Sequence, residues 1–357
     1  MMKYLFTTLT ICLLISCSTK NTTIKHAHLQ LKSPQSWYNL YDFQENGLKY
    51  YYTYELLTGK KIIIYDEKGK LQNEIELTKF MEQNACELSA VFIESNKQFI
   101  LLSKNNHIFI VDADLKIKKE FSFSNFHYKG LHFNPPLFVS KNEIITAVSA
   151  TWPDGKKFDS DYSSNAHLHK QPKFVKINRT TGRVKTTGRD LIRRYLKPLN
   201  LDLQSVFYTC AKDSEIIYNS AFTDTIYHIS RAGKTTSITR VESKIGTIIS
   251  PAFLSKEIRK NPDMIRNTYV SNSWIYKVLI DDFQKLNYVI VRRPLEQFED
   301  FPFNVLIYDE NWEKLDELEF KGDTYRLNFL VTKDGLLMER ANNNSEKRVF
   351  DCLEYTN

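Results

Sequence analysis

Short runs of β-forming residues, each followed by a polar turn and a second run, recur along this chain. Residues 304–320 read NVLIYDENWEKLDELEF, in which four β-formers lead into Asp309 and the second run alternates apolar with polar positions. This pattern predicts a β-hairpin. The arrangement recurs at residues 61–77 and 107–123 and, more loosely, at 173–187 and 225–241. Five copies predict a repeat architecture.

Two further strand patterns precede most of these hairpins, which gives units of four strands in about 40 residues, the size of one β-propeller blade. Six units follow one another, and the sixth, at the C-terminal end, contains only three strands. A lone strand pattern at residues 23–31 can complete it and close the ring, which removes exposed sheet edges. The sequence therefore predicts an all-β, six-bladed β-propeller with four-stranded antiparallel blades and an N-terminal strand closing the last blade.

The lengths of the connections differ between the two faces of such a disc. Turns between the first and second and between the third and fourth strands of a unit are short and share one face. The longer excursions, at about 124–135, 153–172, 188–204, 242–273, 295–303 and 342–347, share the other face. Short helices are expected in the inter-blade loops at 190–196 and 252–259. Insertions on one face of a repeat array mark its binding face; the alternative is that insertions gather there because the tight turns of the other face exclude them.

The N-terminus carries a signal of its own. Lys3 precedes an apolar run at residues 5–15 that is too short to span a bilayer comfortably, and the run ends in Leu-Ile-Ser-Cys at 14–17. The tetrapeptide resembles a bacterial lipobox, which implies cleavage before Cys17 and attachment of lipid to its thiol. We expect a signal peptide at 1–16, a tether at 17–22 and a single propeller domain at 23–357. An ordinary signal peptide or uncleaved anchor with a chance cysteine is the alternative.

A lipobox followed by six degenerate four-stranded units resembles the six-bladed β-propeller lipoproteins of unknown function found in Bacteroidota. The resemblance covers nearly the whole chain and rests on pattern, with strands of the IIIYD and VLIYD kind. It implies a lipid-anchored location in the cell envelope, at the outer membrane, and it carries no catalytic residues. Which way the anchored domain faces stays open.

Composition narrows the partners. The 357 residues are 42% hydrophobic, and their formal net charge of +7 is spread along the chain without a basic block. Nucleic-acid binding needs a concentrated basic stripe and is therefore not expected. With Cys17 used by lipid, Cys86, Cys210 and Cys352 remain in strand-like runs, and buried free thiols are expected. No cofactor motif is present, no cofactor is expected, and the protein is expected to be a monomer.

One polar loop contains residues that could bind a metal ion. If residues 166–169 are extended, His167 and His169 project from one side, and Asp159 or Asp161 could complete a site of nitrogen and oxygen ligands. The same spacing is common by chance in a hydrated surface loop, so both interpretations stay open.

Arginines and aromatic residues at strand ends form a second group of candidates. Arginines at the loop-side ends of inner strands could line a central pocket and bind an anion or a sugar carboxylate. The alternative is that they pair with Glu296, Glu339 or Asp300 and have a structural role. Exposed aromatic rings on the same face could stack on a sugar or grip a peptide. The candidates are Arg292, Arg293, Arg340, Trp152, Phe298 and Phe301.

Catalytic motifs are absent from the sequence. GxSxG, HExxH, SxxK, a glycine-rich phosphate loop and repeated Asp-box turns are all missing. The sequence therefore favours a membrane-anchored binding module whose long-loop face engages a peptide, a glycan or a partner envelope protein. The alternative is a propeller hydrolase or lyase acting on a glycan or lactone, because propeller sites are assembled from scattered loops.

Overall fold

The structure, a computed structural model, describes most of the chain. The described residues are 21–32, 39–56, 60–104, 107–122, 131–150, 174–187, 207–212, 215–220, 224–231, 234–244, 248, 263, 267, 270–295, 301–341 and 347–356. They form six four-stranded sheets in which every neighbouring pair of strands is antiparallel. The predicted six-bladed β-propeller is confirmed.

The first three blades follow one another along the chain. Blade 1 contains β2 (Tyr41–Glu45), β3 (Leu48–Glu55), β4 (Lys61–Asp66) and β5 (Leu71–Glu76). Blade 2 contains β6 (Leu88–Ser95), β7 (Gln98–Ser103), β8 (His107–Asp112) and β9 (Ile117–Ser122). Blade 3 contains β10 (Leu131–Val139), β11 (Glu143–Ala150), β12 (Phe174–Asn178) and β13 (Val184–Thr187).

The last three blades complete the ring. Blade 4 contains β14 (Phe207–Lys212), β15 (Glu215–Ser220), β16 (Thr225–Ser230) and β17 (Thr235–Arg240). Blade 5 contains β18 (Trp274–Asp281), β19 (Leu286–Arg292), β20 (Phe303–Asp309) and β21 (Lys314–Phe320). Blade 6 contains β22 (Tyr325–Thr332), β23 (Gly335–Arg340), β24 (Arg348–Thr356) and the N-terminal strand β1 (Asn21–Leu31).

The N-terminal strand closes the ring, as predicted. β1 pairs with β24 as the outer strand of blade 6, from Asn21 opposite Thr356 to Leu31 opposite Arg348. It begins two residues before the expected strand, so Asn21 and Thr22 belong to the sheet and not to the tether. An apolar cluster that includes Leu40 of blade 1 and Leu337 of blade 6 joins the first and last blades.

The position of a strand within its blade explains its sequence pattern. The third strands, such as β4 and β20, are packed between neighbouring blades and are buried along almost their whole length, so they are apolar on both sides. The fourth strands, such as β5 and β9, form the rim and are mostly exposed, so they carry lysine and glutamate. An apolar third strand followed by a polar fourth strand therefore produces the hairpin pattern that repeats along the sequence.

One turn geometry recurs between the third and fourth strands. The carboxylate of Asp66 accepts hydrogen bonds from the backbone N–H groups of Lys68 and Lys70, at 3.0 and 2.9 Å. Asp112 in blade 2 and Asp309 in blade 5 likewise accept from the backbone N–H groups two and four residues later. At the corresponding position, Asn178 in blade 3 and Ser230 in blade 4 accept from backbone N–H groups of their own turns. A short polar side chain that bonds to its own turn explains why the repeated hairpins share this residue type.

Rim contacts join blade 6 to blade 1 and blade 2 to blade 3. Because sheets twist, the outer strands run partly along the rim, and the end of one reaches the third-to-fourth turn of the following blade. Gln30 of β1 lies against Gly69 of blade 1, and Lys119 of β9 donates to the carbonyl oxygens of Arg179 and Thr180 in blade 3. This contact between consecutive blades is a repeat that hydrophobic patterning alone does not show.

The two faces of the disc carry different connections. The hairpin face carries the first-to-second and third-to-fourth turns, and the loop face carries the second-to-third loops and the inter-blade links. A short helix, α1 (Thr78–Gln83), lies in the link between blades 1 and 2, at a place where the sequence analysis expected none. The helices predicted at 190–196 and 252–259 lie outside the described residues, as do most residues of the predicted long excursions. Residues 131–135, predicted as part of an excursion, belong instead to β10.

Candidate functional site

The predicted arginines do not share one kind of environment. Arg340, at the loop-face end of β23, donates from Nε to Oδ1 of Asp351 at 2.9 Å. Arg293 forms an ion pair with Glu319 of the outer strand and donates to the carbonyl oxygen of Phe320 at 3.0 Å. Both arginines thus bind carboxylates of their own blade, and these partners differ from the glutamates and the aspartate that the sequence suggested.

Arg292 is buried within blade 5. Its guanidinium carbon lies 5.2 Å from the centre of the Trp274 ring, on the neighbouring strand β18 directly opposite. Burial lowers the pKa of Arg292 to about 10, because a charged group loses hydration in the interior. This geometry places Arg292 in the packing of blade 5.

Asp351 is a carboxylate that gathers donors from three strands. Besides Arg340, it accepts from the Tyr325 hydroxyl at 2.7 Å and the Ala27 backbone N–H at 2.8 Å, and it lies 3.0 Å from Nδ1 of His26. Burial by itself would raise the pKa of Asp351, but these hydrogen bonds outweigh it, and the pKa is lowered. The carboxylate therefore stays charged and fixes β1 at the irregularity between Lys25 and Leu29.

A second buried ion pair lies in the same blade. Arg348 donates to both oxygens of Glu339, at 3.0 and 2.6 Å, and both side chains are almost fully buried. Asn328 donates to Glu339 at 2.6 Å and accepts from the backbone N–H of Leu40 in blade 1 at 3.2 Å. The network connects blade 6 to blade 1 across the closing seam, and this role is structural.

Of the other predicted site residues, the structure describes only Phe301. Phe301, expected to be exposed, is half-buried. Outside the described residues lie Cys17, Trp152, Phe298, Asp159, Asp161, His167 and His169. Among the residues that are described, no group of three or more histidine, cysteine or carboxylate side chains could hold a metal ion. Cys86 and Cys352 are buried and form no disulfide, as predicted, and burial raises the pKa of Cys352 to about 12.

A cleft on the loop face between blades 1 and 2 is a candidate site of the described chain. It has a volume of about 460 Å³. Its apolar floor comes from Leu56, Met81, Cys86 and Leu88, and its charged rim from Lys60, Glu82, Glu87 and Lys104. The cleft lies on the face that the sequence predicted to be the binding face, and none of its lining residues was among the predicted site residues.

The cleft is built by an inter-blade link that is bonded to two loops. The Leu77 N–H donates to the Lys60 carbonyl oxygen at 2.7 Å, and the Lys104 N–H donates to the Glu87 carbonyl oxygen at 2.8 Å. Lys104 also forms an ion pair with the Glu87 carboxylate at 2.9 Å, which lowers the pKa of Glu87. These bonds fix the backbones of Lys60 and Lys104, and the side chain of Lys104, relative to the apolar floor.

Two residues of the cleft have a strained backbone. Lys60 and Ala85 have φ angles of 44° and 45°, a left-handed conformation that costs free energy for residues with a Cβ atom. Ala85 lies two residues after the end of α1, where the Cys86 N–H donates back to the Met81 carbonyl oxygen at 3.0 Å. Glycine is the usual residue at this position. Strained positions of this kind concentrate at functional sites, so their presence is consistent with a binding cleft.

A smaller pocket of about 330 Å³ lies on the hairpin face between blades 4 and 5. His228, buried at its wall, lies 3.3 Å from Glu215 through Nδ1 and 3.0 Å from the Thr239 hydroxyl through Nε2. The Trp312 ring packs edge-on against the imidazole at 5.1 Å. Both ring nitrogens of His228 have polar partners and its ring packs on the next blade, so its role is structural. Trp312, in the third-to-fourth turn of blade 5, is a sequence signal that could have marked this pocket, and the sequence analysis did not use it.

These observations define the class: the chain is a six-bladed β-propeller whose closing blade combines its first and last strands. No family model matches the chain, and no curated protein sequence matches it. Its fold is similar to that of a DUF4221-family protein from Bacteroides vulgatus, at 15% identity and a TM-score of 0.67 over 94% of this chain and 99% of that one. A putative exported protein from Bacteroides fragilis is similar at 11% identity and a TM-score of 0.56 over 94% and 96%.

A streptogramin B lyase is a more distant match, with 11% identity and a TM-score of 0.46 over 94% of this chain and 98% of that one. At this level of similarity the lyase carries no argument about activity. The two Bacteroides structures show that the fold is shared. Because their sequence identities to this chain are low, they show nothing beyond the fold. In the described part of the chain, no helix is both long and apolar enough to cross a membrane.

Proposed function

We propose that this protein is a lipid-anchored envelope protein whose propeller binds a peptide segment of a partner protein in the loop-face cleft. The cleft between blades 1 and 2 carries the proposal. It combines an apolar floor with a rim of both charge signs, a combination suited to the side chains and backbone of an extended peptide. The lipobox-like sequence at 14–17 and the fold shared with the exported Bacteroides fragilis protein support a location outside the cytoplasm.

A peptide fits the cleft better than a glycan does. Sugar rings are commonly held by stacking on aromatic faces, and the described lining of the cleft contains aliphatic, sulfur-containing and charged side chains without an aromatic ring. A sugar-binding role would need an aromatic platform elsewhere on the loop face. The hydrolase or lyase alternative draws no support from two of its candidate residues, because Arg293 and Arg340 are held by Glu319 and Asp351 within their blades.

The binding proposal is tested with the lipidated protein on peptide and glycan arrays. We expect peptide hits whose affinity falls at least about tenfold in a K60E/K104E variant, since both rim charges are reversed. K185E/K321E is the matched control, because it reverses two exposed charges, on the outer strand of blade 3 and directly after the outer strand of blade 5, away from the cleft. Glycan hits that the cleft variant leaves unchanged would contradict the proposal, and conversion of a bound compound to product would favour the enzyme alternative.

Lipid attachment is tested separately. Mass spectrometry of the mature N-terminus should show diacylglycerol on Cys17, and a C17A variant should leave the membrane fraction. An unmodified cysteine, or membrane association that survives C17A, would contradict the anchor without bearing on the cleft.

A further inference from the structure

The anchor proposed above would join the disc at a defined place. β1 begins at Asn21, opposite Thr356 at the end of β24 that lies toward the hairpin face. Only three residues separate Cys17 from Asn21. Four steps of fully extended chain span at most about 14 Å. A lipid on Cys17 would therefore hold the hairpin-face end of β1 close to the bilayer surface.

Exposed apolar side chains lie on the same face. Five large apolar residues of the described chain are strongly exposed: Leu48 at 52%, Leu71 at 42%, Ile117 at 40%, Ile238 at 49% and Phe283 at 55%. Four of them, all but Ile238, lie in or directly after turns of the hairpin face. Single exposed apolar residues need no explanation, but four of them among the described residues of one face point to a contact surface.

The positions of these residues favour one orientation of the disc. Leu48 and Phe283 belong to first-to-second turns, which lie toward the centre of a propeller, whereas Leu71 and Ile117 follow third-to-fourth turns at the rim. A disc standing on its edge would bring only rim residues to the lipid. Apolar side chains at both the centre and the rim fit a disc that lies flat.

The fold itself does not require an apolar residue at position 283. The turn is held by Asp281, whose carboxylate accepts from the backbone N–H groups of Phe283 and Gln284, both at 2.9 Å. The phenyl ring takes no part in these bonds and is exposed. Three of these turns contain a lysine near the apolar residue, at Lys70, Lys116 and Lys285, and each also contains an acidic residue, Glu67, Asp114 or Asp282. The long lysine side chains can extend toward headgroups while apolar neighbours enter the interface.

We propose that the hairpin face of the anchored protein rests on the lipid bilayer, with Leu48 and Phe283 in the headgroup layer. The inference rests on the proposed lipid anchor. Strands of six to eight residues give the disc a height of about 20 Å. The loop face, with the cleft between blades 1 and 2, therefore opens away from the membrane, where it is accessible to a partner protein.

The test measures the rate at which a polymer-linked maleimide labels single introduced cysteines. F283C and L48C report on the hairpin face, and E87C, whose parent side chain is 70% exposed, reports on the loop face. The lipidated protein is reconstituted into vesicles of phosphatidylethanolamine and phosphatidylglycerol, and each rate is compared with that of the same variant carrying C17A in solution. Labelling of the parent protein gives the background from its own cysteines.

We expect F283C and L48C to react at least about tenfold more slowly on vesicles, because insertion in the interface hides them from a bulky polar reagent. E87C should change by less than about twofold, since it faces water. Equal slowing at all three positions, or slowing at E87C alone, would overturn the proposed orientation.

The orientation and the anchor can fail independently. If Cys17 proves unmodified, a polyhistidine tag placed before residue 18 of the C17A protein and bound to nickel-chelating lipid supplies the same attachment point. Protection of F283C and L48C in that arrangement supports the membrane-facing surface without natural lipid. Free labelling in both arrangements rejects it even where lipid on Cys17 has been found.

Discussion

The carboxylate of Glu317 in blade 5 accepts a hydrogen bond from the hydroxyl of Ser243, which follows the outer strand of blade 4, at 2.6 Å. Glu317 also accepts from the Lys244 backbone N–H, the Asn304 amide and the Lys314 ammonium group. Its side chain is 1% exposed. A carboxylate on an outer strand, where glutamates are normally hydrated, is thus the centre of an inter-blade contact.

Acid should weaken this contact. Burial by itself would raise the pKa of Glu317, but the hydrogen bonds prevail and lower it to about 2. An unfolded glutamate has a pKa of about 4.3, so the stabilisation is present above that pH and is lost as the pH falls toward 2. We expect E317Q to lower the free energy of unfolding by about 3 kcal/mol at pH 7, and by much less at pH 2.5, in urea titrations.

The exposed Glu310 in the turn of the same blade provides the control for this experiment. E310Q should leave the free energy of unfolding within about 0.5 kcal/mol of the parent at both pH values. An E317Q effect that does not shrink on acidification would show that the loss comes from packing and not from charge.

Asp351 should determine how firmly β1 closes the ring. D351N replaces a carboxylate that accepts several hydrogen bonds by an amide with a single acceptor oxygen. We expect it to lower the free energy of unfolding by about 2–4 kcal/mol. Because Asp351 bonds directly to Ala27, hydrogen exchange should accelerate first in β1 and β24. E354Q, which removes a carboxylate paired with the largely exposed Lys25 in the same two strands, should cost less than about 1 kcal/mol. Uniform acceleration over all blades would argue against a local closing role.

Two glycines with nearly the same backbone conformation should respond differently to alanine. Gly69 and Gly47 have φ angles of 80° and 78°, so a methyl group strains both equally. At Gly69 it would also overlap the carbonyl oxygen of Gln30 in β1, whereas at Gly47 nothing lies within 4 Å. We expect G47A to lower the free energy of unfolding by about 1 kcal/mol. G69A should lower it by at least about 2 kcal/mol more than G47A does.

Calorimetry of both glycine variants measures the difference. Proteolysis near the N-terminus should increase in G69A only, because the clash displaces the end of β1. Equal melting temperatures for the two variants would show that the blade 1 turn does not hold the closing strand.

The strained end of α1 offers a stabilising substitution. Ala85 has a φ of 45°, and glycine adopts this conformation without a steric cost. We expect A85G to raise the free energy of unfolding by about 0.5–1 kcal/mol, and A85V to lower it by more than that. If the cleft depends on this backbone conformation, peptide affinity should survive A85G and fall in A85V. Stability from urea titrations and affinity from calorimetry separate the two effects.

The repeated hairpins were predictable because they are local. A third strand packed between two blades must be apolar throughout, a fourth strand on the rim must be polar, and an aspartate that bonds to its own turn joins them, as at Asp66, Asp112 and Asp309. Each requirement acts over fewer than about ten residues, so the sequence displays it directly. The ring closure followed by counting, since three C-terminal strands required a fourth.

The partners of individual charges were not predictable. Arg340 binds Asp351 and Arg348 binds Glu339, although an arginine next to Glu339 in the sequence suggested another pairing. The cleft between blades 1 and 2 likewise draws its wall from a helix that carries no side-chain cap and no strong helical signal. Such features depend on which strand ends and loops meet in space.

The sequence by itself therefore determined the blade count, the closing strand and the face that carries the longer loops. These properties follow from strand periodicity and from the alternation of connections between the two faces of a disc. The tertiary structure decided that Glu317 and Asp351 connect strands distant in the chain, that Leu56 and Lys104 border one cleft, and that Leu48 and Phe283 share an exposed face. The twist of the blades brings these residues together, and no local pattern records it.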